Sequence, residues 1–143
     1  MPSIFKREHN LEFLRGYGAD SLSGHLGIEY VEAGEDYLLA RMPVDERTRQ
    51  PYGILHGGAS VALAETLGSV ASFLTLAPED TRVPVGFEIN ANHLRPARSG
   101  WVYGRATPIH LGRRTHVWDI RISDEAGNPV CVSRLSVMLI ERG

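Results

Sequence analysis

Between Gly57 and Pro78 the chain carries one ionisable side chain, Glu65, in a run of small and apolar residues. An unpaired carboxylate is costly to bury or is pushed toward its neutral form, so a chain that puts one there either exposes it or uses it. Just ahead of it, "LHGG" sets His56 before two glycines, Gly57 and Gly58, where a helix begins. Unobstructed backbone N–H groups at such an end suit an anion or a carbonyl oxygen that is gaining negative charge. If the helix begins near Gly58, Glu65 lies about two turns in, too far to serve as a first-turn partner of the helix dipole. Each feature also has a plainer reading: glycines for close packing, and a glutamate bonded to a buried polar group across a subunit interface.

A second group is basic. Residues 91–121 hold Arg95, Arg98, Arg105, Arg113, Arg114 and Arg121 against one acid, Asp119, in a chain of formal net charge -2. Guanidinium forks match phosphate oxygens, and "HLGRR" puts Arg113 and Arg114 directly after Gly112 in a turn. The acidic remainder of the chain argues against nucleic acid as the partner, so a compact polyphosphate ligand fits better. The plainer reading is a set of solvated strand edges that discourage edge pairing.

Other chemistries find little support. The lone Cys131 lies in an apolar run, reads as core, and is compatible with a reducing cytosol. Ser60 in "GGASV" lacks a nucleophile elbow, and His25, His93, His110 and His116 show no metal-ligand spacing. No dinucleotide fingerprint or phosphate-binding loop occurs, so neither cofactor nor metal is expected. The N-terminus "MPSIFKREHN" has no apolar signal region, and the 57–78 run, with Glu65 near its middle and several Ser and Thr, reads as a buried helix rather than a membrane span. A cytoplasmic location follows as the expectation.

These groups need elements to position them. At 143 residues the chain is expected to be one domain, 1–143, with residues 1–20 an extension carrying a short helix in "NLEFLRGYG", in which Leu11, Phe13 and Leu14 share one side. Runs 27–34 and 36–44 read as a hairpin, with Leu38, Ala40 and Met42 on one face. One long helix begins at Gly57 and Gly58 and stops at Pro78. Strands follow. Val85, Phe87, Ile89 and Ala91 are expected on one face, and Trp101, Tyr103, Arg105 and Thr107 opposite Val102, Gly104 and Ala106. Trp118, Ile120 and Ile122 alternate with Val117, Asp119 and Arg121, and the last strand, "VCVSRLSVMLI", is apolar on both faces and so central. An antiparallel sheet with one helix against it is an α+β fold. So uncharged a helix has no ordinary wet face; the sheet must curl round it or a second subunit must cover it, and a homodimer at least is expected.

"MPVDERTRQPYGILHGGASVALAETLGSVAS", "VGFEINANHLRPAR" and "HLGRRTHVWDIRISDEAGNPVCVSRLS" together resemble the hotdog-fold acyl-CoA thioesterases of the bacterial phenylacetate-degradation and aryl-CoA type, over about residues 24–140. Within that group the motifs are most similar to enzymes that hydrolyse 1,4-dihydroxy-2-naphthoyl-CoA in menaquinone synthesis and their enterobactin proofreading relatives. The resemblance implies a curved antiparallel sheet wrapped round the long helix, dimers with two interfacial sites, and usually a dimer of dimers. It implies an acyl-CoA substrate with an aromatic or medium-chain acyl group. Glu65 would be the catalytic carboxylate, as nucleophile or as general base. The Gly57 N–H would hold the thioester oxygen with help from Gln50 and His56, and Ser69 would orient water or the carboxylate. His93, Arg95, Gly112, Arg113 and Arg114 would contact CoA, partly from the neighbouring subunit, and Phe73 would bear on acyl selectivity. Two rivals remain open: an enoyl-thioester hydratase using His56 as base, and a non-catalytic acyl-CoA-binding module.

Overall fold

The structure, a computed structural model, describes residues 2–143; Met1, at the head of the expected 1–20 extension, lies outside the described residues. Two short helices, α1 (Leu11–Gly16) and α2 (Leu22–His25), precede strands β1 (Glu29–Ala33) and β2 (Leu38–Pro43). Then come α3 (Gly57–Thr75), β3 (Arg82–His93), β4 (Trp101–Leu111), β5 (Thr115–Asp124) and β6 (Pro129–Glu141). The six strands form one antiparallel sheet in the order β1-β2-β4-β5-β6-β3, with α3 packed on one face. The fold is the α+β arrangement expected, and α2 is an element the sequence reading did not anticipate.

Alternation decides the buried face. Leu38, Ala40, Met42, Val102, Ala106, Trp118, Ile120, Ile122, Leu135 and Val137 are fully enclosed, and Leu63, Leu67 and Leu74 of α3 meet them. Each such leucine contributes about 1.5–3 kcal/mol by leaving water. The helix lies close because side chains are missing where it crosses the sheet. A Cβ on Gly104 would sit 2.7 Å from Leu67 Cδ1, and one on Gly68 would sit 2.5 Å from Leu135 Cδ2. One polar knot ties the layers: the Trp118 Nε1–H donates to Ser72 Oγ at 2.7 Å, and His116 Nδ1 shares a hydrogen bond with the same hydroxyl at 2.9 Å. By length and composition α3 is apolar enough to cross a membrane, but half of its apolar window is buried within the fold, as in a core helix.

β3 departs from the expected alternation. Register shifts between Gly86 and Glu88, so Phe87 is the extra residue of a bulge. Upstream of it Val85 pairs with Met138 on the outer face and is 43% exposed; downstream Ile89 pairs with Leu135 on the inner face. Val85 and Ile89 therefore lie on opposite faces, because a single inserted residue reverses the phase of everything after it. β3 is an edge strand, and β6 lies between it and β5, an interior position that suits its apolar sequence.

The N-terminal segment wraps the far end of α3. Lys6 and Arg7 donate backbone N–H groups to Leu74 O, and the Arg7 guanidinium reaches the carbonyls of Leu76, Ala77 and Asp80 at 3.0–3.2 Å, satisfying groups that a helix end leaves open. In α1 only Leu14 is fully buried, while Phe13 is 39% exposed, so the expected common apolar side does not include Phe13.

Candidate active site

The entrance of α3 is held by the segment before it. His56 N donates to Thr48 O, Leu55 N to Ala97 O and Gln50 N to Ile54 O, each at 2.7–2.8 Å, which ties the Gln50 loop against the helix start. His56 is the N-cap: its Nδ1 accepts from Gly58 N at 2.8 Å, and its carbonyl accepts from Ala59 N at 3.0 Å. Those bonds occupy the second and third N–H groups of the helix, and the first, on Gly57, has no partner among the described residues. An imidazole that accepts at Nδ1 carries its proton on Nε2 when neutral.

Gln50 completes the donor set. The backbone N–H of Tyr52 donates to Gln50 Oε1, which fixes the amide orientation and leaves the two Nε2 hydrogens without a partner among the described residues. Gln50 and Gly57 line one cavity of about 430 Å³ with His93, Leu94 and Arg95. The fit is tight at its inner wall: a Cβ on Gly57 would lie 2.9 Å from His93 Nε2, so glycine is what lets the imidazole lie against the helix entrance. Two residues with neutral donors that line a cavity beside the positive end of a helix are suited to a carbonyl oxygen that gains charge.

Glu65 is elsewhere. It stands eight residues beyond Gly57, about 12 Å along the helix and about 80° round it. Its carboxylate lies over the edge strand, where Gly86 leaves room, and lines a cavity of about 210 Å³ with Gly86, Ile89 and Leu135. Among the described residues it makes no hydrogen bond and no ion pair. Ser69 and Phe73 follow at four-residue steps on the same half-buried face, which the sheet leaves uncovered. The Phe73 ring meets Tyr17 edge-on at 5.2 Å, with the Arg7 guanidinium 4.4 Å from its centroid.

The remaining candidates fall at two ends of the molecule. His93 and Arg95 share the Gly57 cavity. Gly112, Arg113 and Arg114 form the β4–β5 turn at the opposite end of α3, where Gly112 lines a cavity of about 390 Å³ with Thr75 and Arg82, and Arg113 O accepts from Arg82 Nη1 at 2.5 Å. Asp80 grips the same arginine, and its side-chain and backbone bonds with Arg82 hold its pKa down at about 2. Burial, reinforced by the positive field of Arg82, holds the His116 imidazole below its ordinary pKa. One chain thus gathers Gln50, His56, Gly57, His93 and Arg95 at one helix end, sets Glu65 and Ser69 at mid-helix, and places Phe73, Gly112, Arg113 and Arg114 toward the other end. Sequence reasoning overlooked Gly86 and the Tyr52 N–H that orients Gln50. A glycine inside the alternating run "VPVGFEI" was a signal for the first; nothing in residue types signals the second.

Comparison with known proteins places the chain in a family. The thioesterase superfamily matches residues 52–131, more than half of the chain. Over 137 residues the chain is 50% identical to a 1,4-dihydroxy-2-naphthoyl-CoA hydrolase of Escherichia coli, covering 96% of this chain and 99% of that protein. It is 51% identical over 137 residues to the proofreading thioesterase EntH of Cronobacter turicensis, covering 96% and 98%. A solved thioesterase from Haemophilus influenzae has a TM-score of 0.92 at 52% identity, covering 96% of this chain and 95% of that one. With its helix on a six-stranded antiparallel sheet in the hotdog manner, this chain belongs to the thioesterase superfamily and is a thioester hydrolase.

Proposed function

We propose that this thioesterase hydrolyses CoA thioesters of aromatic or medium-chain acids, 1,4-dihydroxy-2-naphthoyl-CoA among them, to free acid and CoA. The observation that carries the chemistry is that Gly57 and Gln50, whose N–H and Nε2 donors have no partner among the described residues, line one cavity. The thioester carbonyl oxygen accepts from both, and a carboxylate attacks from the other side. Glu65 of the same chain is too far along α3 to do so, so the proposal assigns the attack to Glu65 of the partner subunit. The uncovered face of α3 and the free edge of β3 support a homodimer in which two helices run antiparallel, and two such dimers would form the tetramer.

In that pairing, with Gly57 opposite the partner subunit's Glu65, the C-terminal end of the partner's helix lies about 15 Å beyond the donors. The pantetheine arm spans such a gap between thioester and nucleotide. His93 and Arg95 would then flank the arm, and Gly112, Arg113 and Arg114 of the partner subunit would meet the phosphates. Ser69, one turn beyond Glu65 on its own face, would orient water or the carboxylate, and Phe73, a turn further on, would bear on substrate selectivity.

Two routes use this geometry. As nucleophile, Glu65 bonds to the carbonyl carbon and expels CoA thiolate, and water hydrolyses the resulting anhydride. As general base, it takes a proton from water, whose oxygen bonds to the same carbon while the C–S bond breaks and the thiolate is protonated. A hydratase route through His56 is less well served, because the Nδ1 lone pair is already bonded to Gly58 N–H and Nε2 carries the proton. The test is thiol release across aryl-CoA, medium-chain, short-chain and carrier-protein thioesters. Fastest turnover on aryl- or medium-chain CoA supports the proposal. Turnover confined to carrier-protein thioesters, or absent throughout, overturns it.

A further inference from the structure

The reading of Glu65 as the reacting carboxylate leaves open what holds it in place, since it has neither hydrogen bond nor ion pair among the described residues. We propose that Gly86 is a positioning residue, acting through the absence of a side chain: it forms the seat on which the Glu65 carboxylate rests. The inference rests on the proposed role of Glu65.

A Cβ added to Gly86 would stand 2.6 Å from Glu65 Oε2 and 3.3 Å from both Glu65 Cδ and Leu135 Cδ1. The carboxylate is thus in contact with the strand backbone, at a spot that any other residue would fill. Backbone conformation gives no reason for the glycine, because Gly86 is not among the glycines with positive φ. Glycine weakens a strand interior, and here it sits in the inner row of an edge strand, opposite Val137. Directly after it comes the Phe87 bulge, which re-aims the following residues, and Glu65, Gly86 and Phe87 line one small cavity. Seat and cavity together place a side chain that has no polar partner among the described residues.

A methyl group at position 86 must push something aside. On one side is the methyl of the fully buried Leu135; on the other is the free end of a flexible glutamate. The carboxylate yields, moving from the 2.6 Å approach out to at least the 3.4 Å of ordinary contact. Displacement of a reacting group on that scale lowers turnover by about 10- to 100-fold. The residues proposed to bind CoA include neither Gly86 nor Glu65, so KM should change little.

The experiment compares Gly86→Ala with the wild type for kcat and KM on benzoyl-CoA and for thermal unfolding, and repeats the substitution in a Glu65→Gln background. The expected result is a folded protein with Tm unchanged or raised, kcat lowered about 10- to 100-fold and KM within about twofold. In the Glu65→Gln background, Gly86→Ala should lower the residual rate no further. Wild-type kcat in Gly86→Ala would overturn the proposal, and so would an equal loss in both backgrounds. Failure of Gly86→Ala to fold would also overturn it, since the strain would then have fallen on Leu135 or the backbone. If Glu65→Gln itself keeps full activity, the reading of the active site fails; if Glu65→Gln is inactive while Gly86→Ala is normal, only the seat fails.

Discussion

Two independent rulers separate the donors from the carboxylate within one chain. Along α3 the distance from Gly57 to Glu65 is about 12 Å. Along β3, Gly57 abuts His93 while Glu65 abuts Gly86, seven residues and one bulge away, or about 20 Å of strand. A carbonyl oxygen about 3 Å from the Gly57 N–H leaves its carbon far outside the roughly 3–3.5 Å attack distance of that chain's own Glu65. Co-expressing Gln50→Ala and Glu65→Gln chains therefore tests whether a site is shared. Each parent alone is impaired, Gln50→Ala by about 10²-fold for one lost oxyanion donor. In the mixed population about half of the dimers are hybrids, and each hybrid has one site with both changes and one with neither, so thiol release should recover to about a quarter of the wild-type rate. That is far above either parent. A mixture that shows only the average of its parents, with hybrids demonstrated by two affinity tags, would refute the two-chain site.

Other expectations follow from the same geometry. Ser72→Ala should leave Trp118 Nε1 and His116 Nδ1 buried without their partner, lowering unfolding stability in urea by about 2–4 kcal/mol. Because the native His116 resists protonation, the unfolded chain binds more protons below its ordinary pKa; stability should fall as pH drops below about 6.5, and the Tm of His116→Gln should change less over that range. Arg114→Ala should raise KM for CoA thioesters by about fivefold while leaving KM for thioesters of the truncated N-acetylcysteamine arm unchanged, because only the former carry phosphates.

Much of the fold is visible in residue order, for a physical reason. Leu38, Ala40 and Met42, or Trp118, Ile120 and Ile122, alternate because one side of the sheet is buried, and burial writes itself into the sequence with period two. A bulge breaks that rule without changing residue types, which is why alternation alone puts Val85 on the face of Ile89 while it lies on the other. The candidate site was legible as types: a lone acid, a glycine-rich helix start, an arginine-rich turn. Its geometry was less so. His56 caps the helix through Nδ1, a task usually held by Ser, Thr, Asp or Asn, and Gln50 is oriented by a backbone N–H, which has no residue type at all. Ser72, His116 and Trp118 meet across at least 44 residues of sequence, beyond the reach of any local pattern.

Hydrolysis by the proposed route depends on the Glu65 carboxylate. Its most direct test is Glu65→Gln, which keeps the shape of the side chain and removes its charge and basicity, assayed by thiol release from benzoyl-CoA with circular dichroism and Tm as controls. The expected result is a folded protein whose kcat falls by about 10³-fold or more, with KM little changed. A folded Glu65→Gln protein that releases thiol at the wild-type rate would contradict the account.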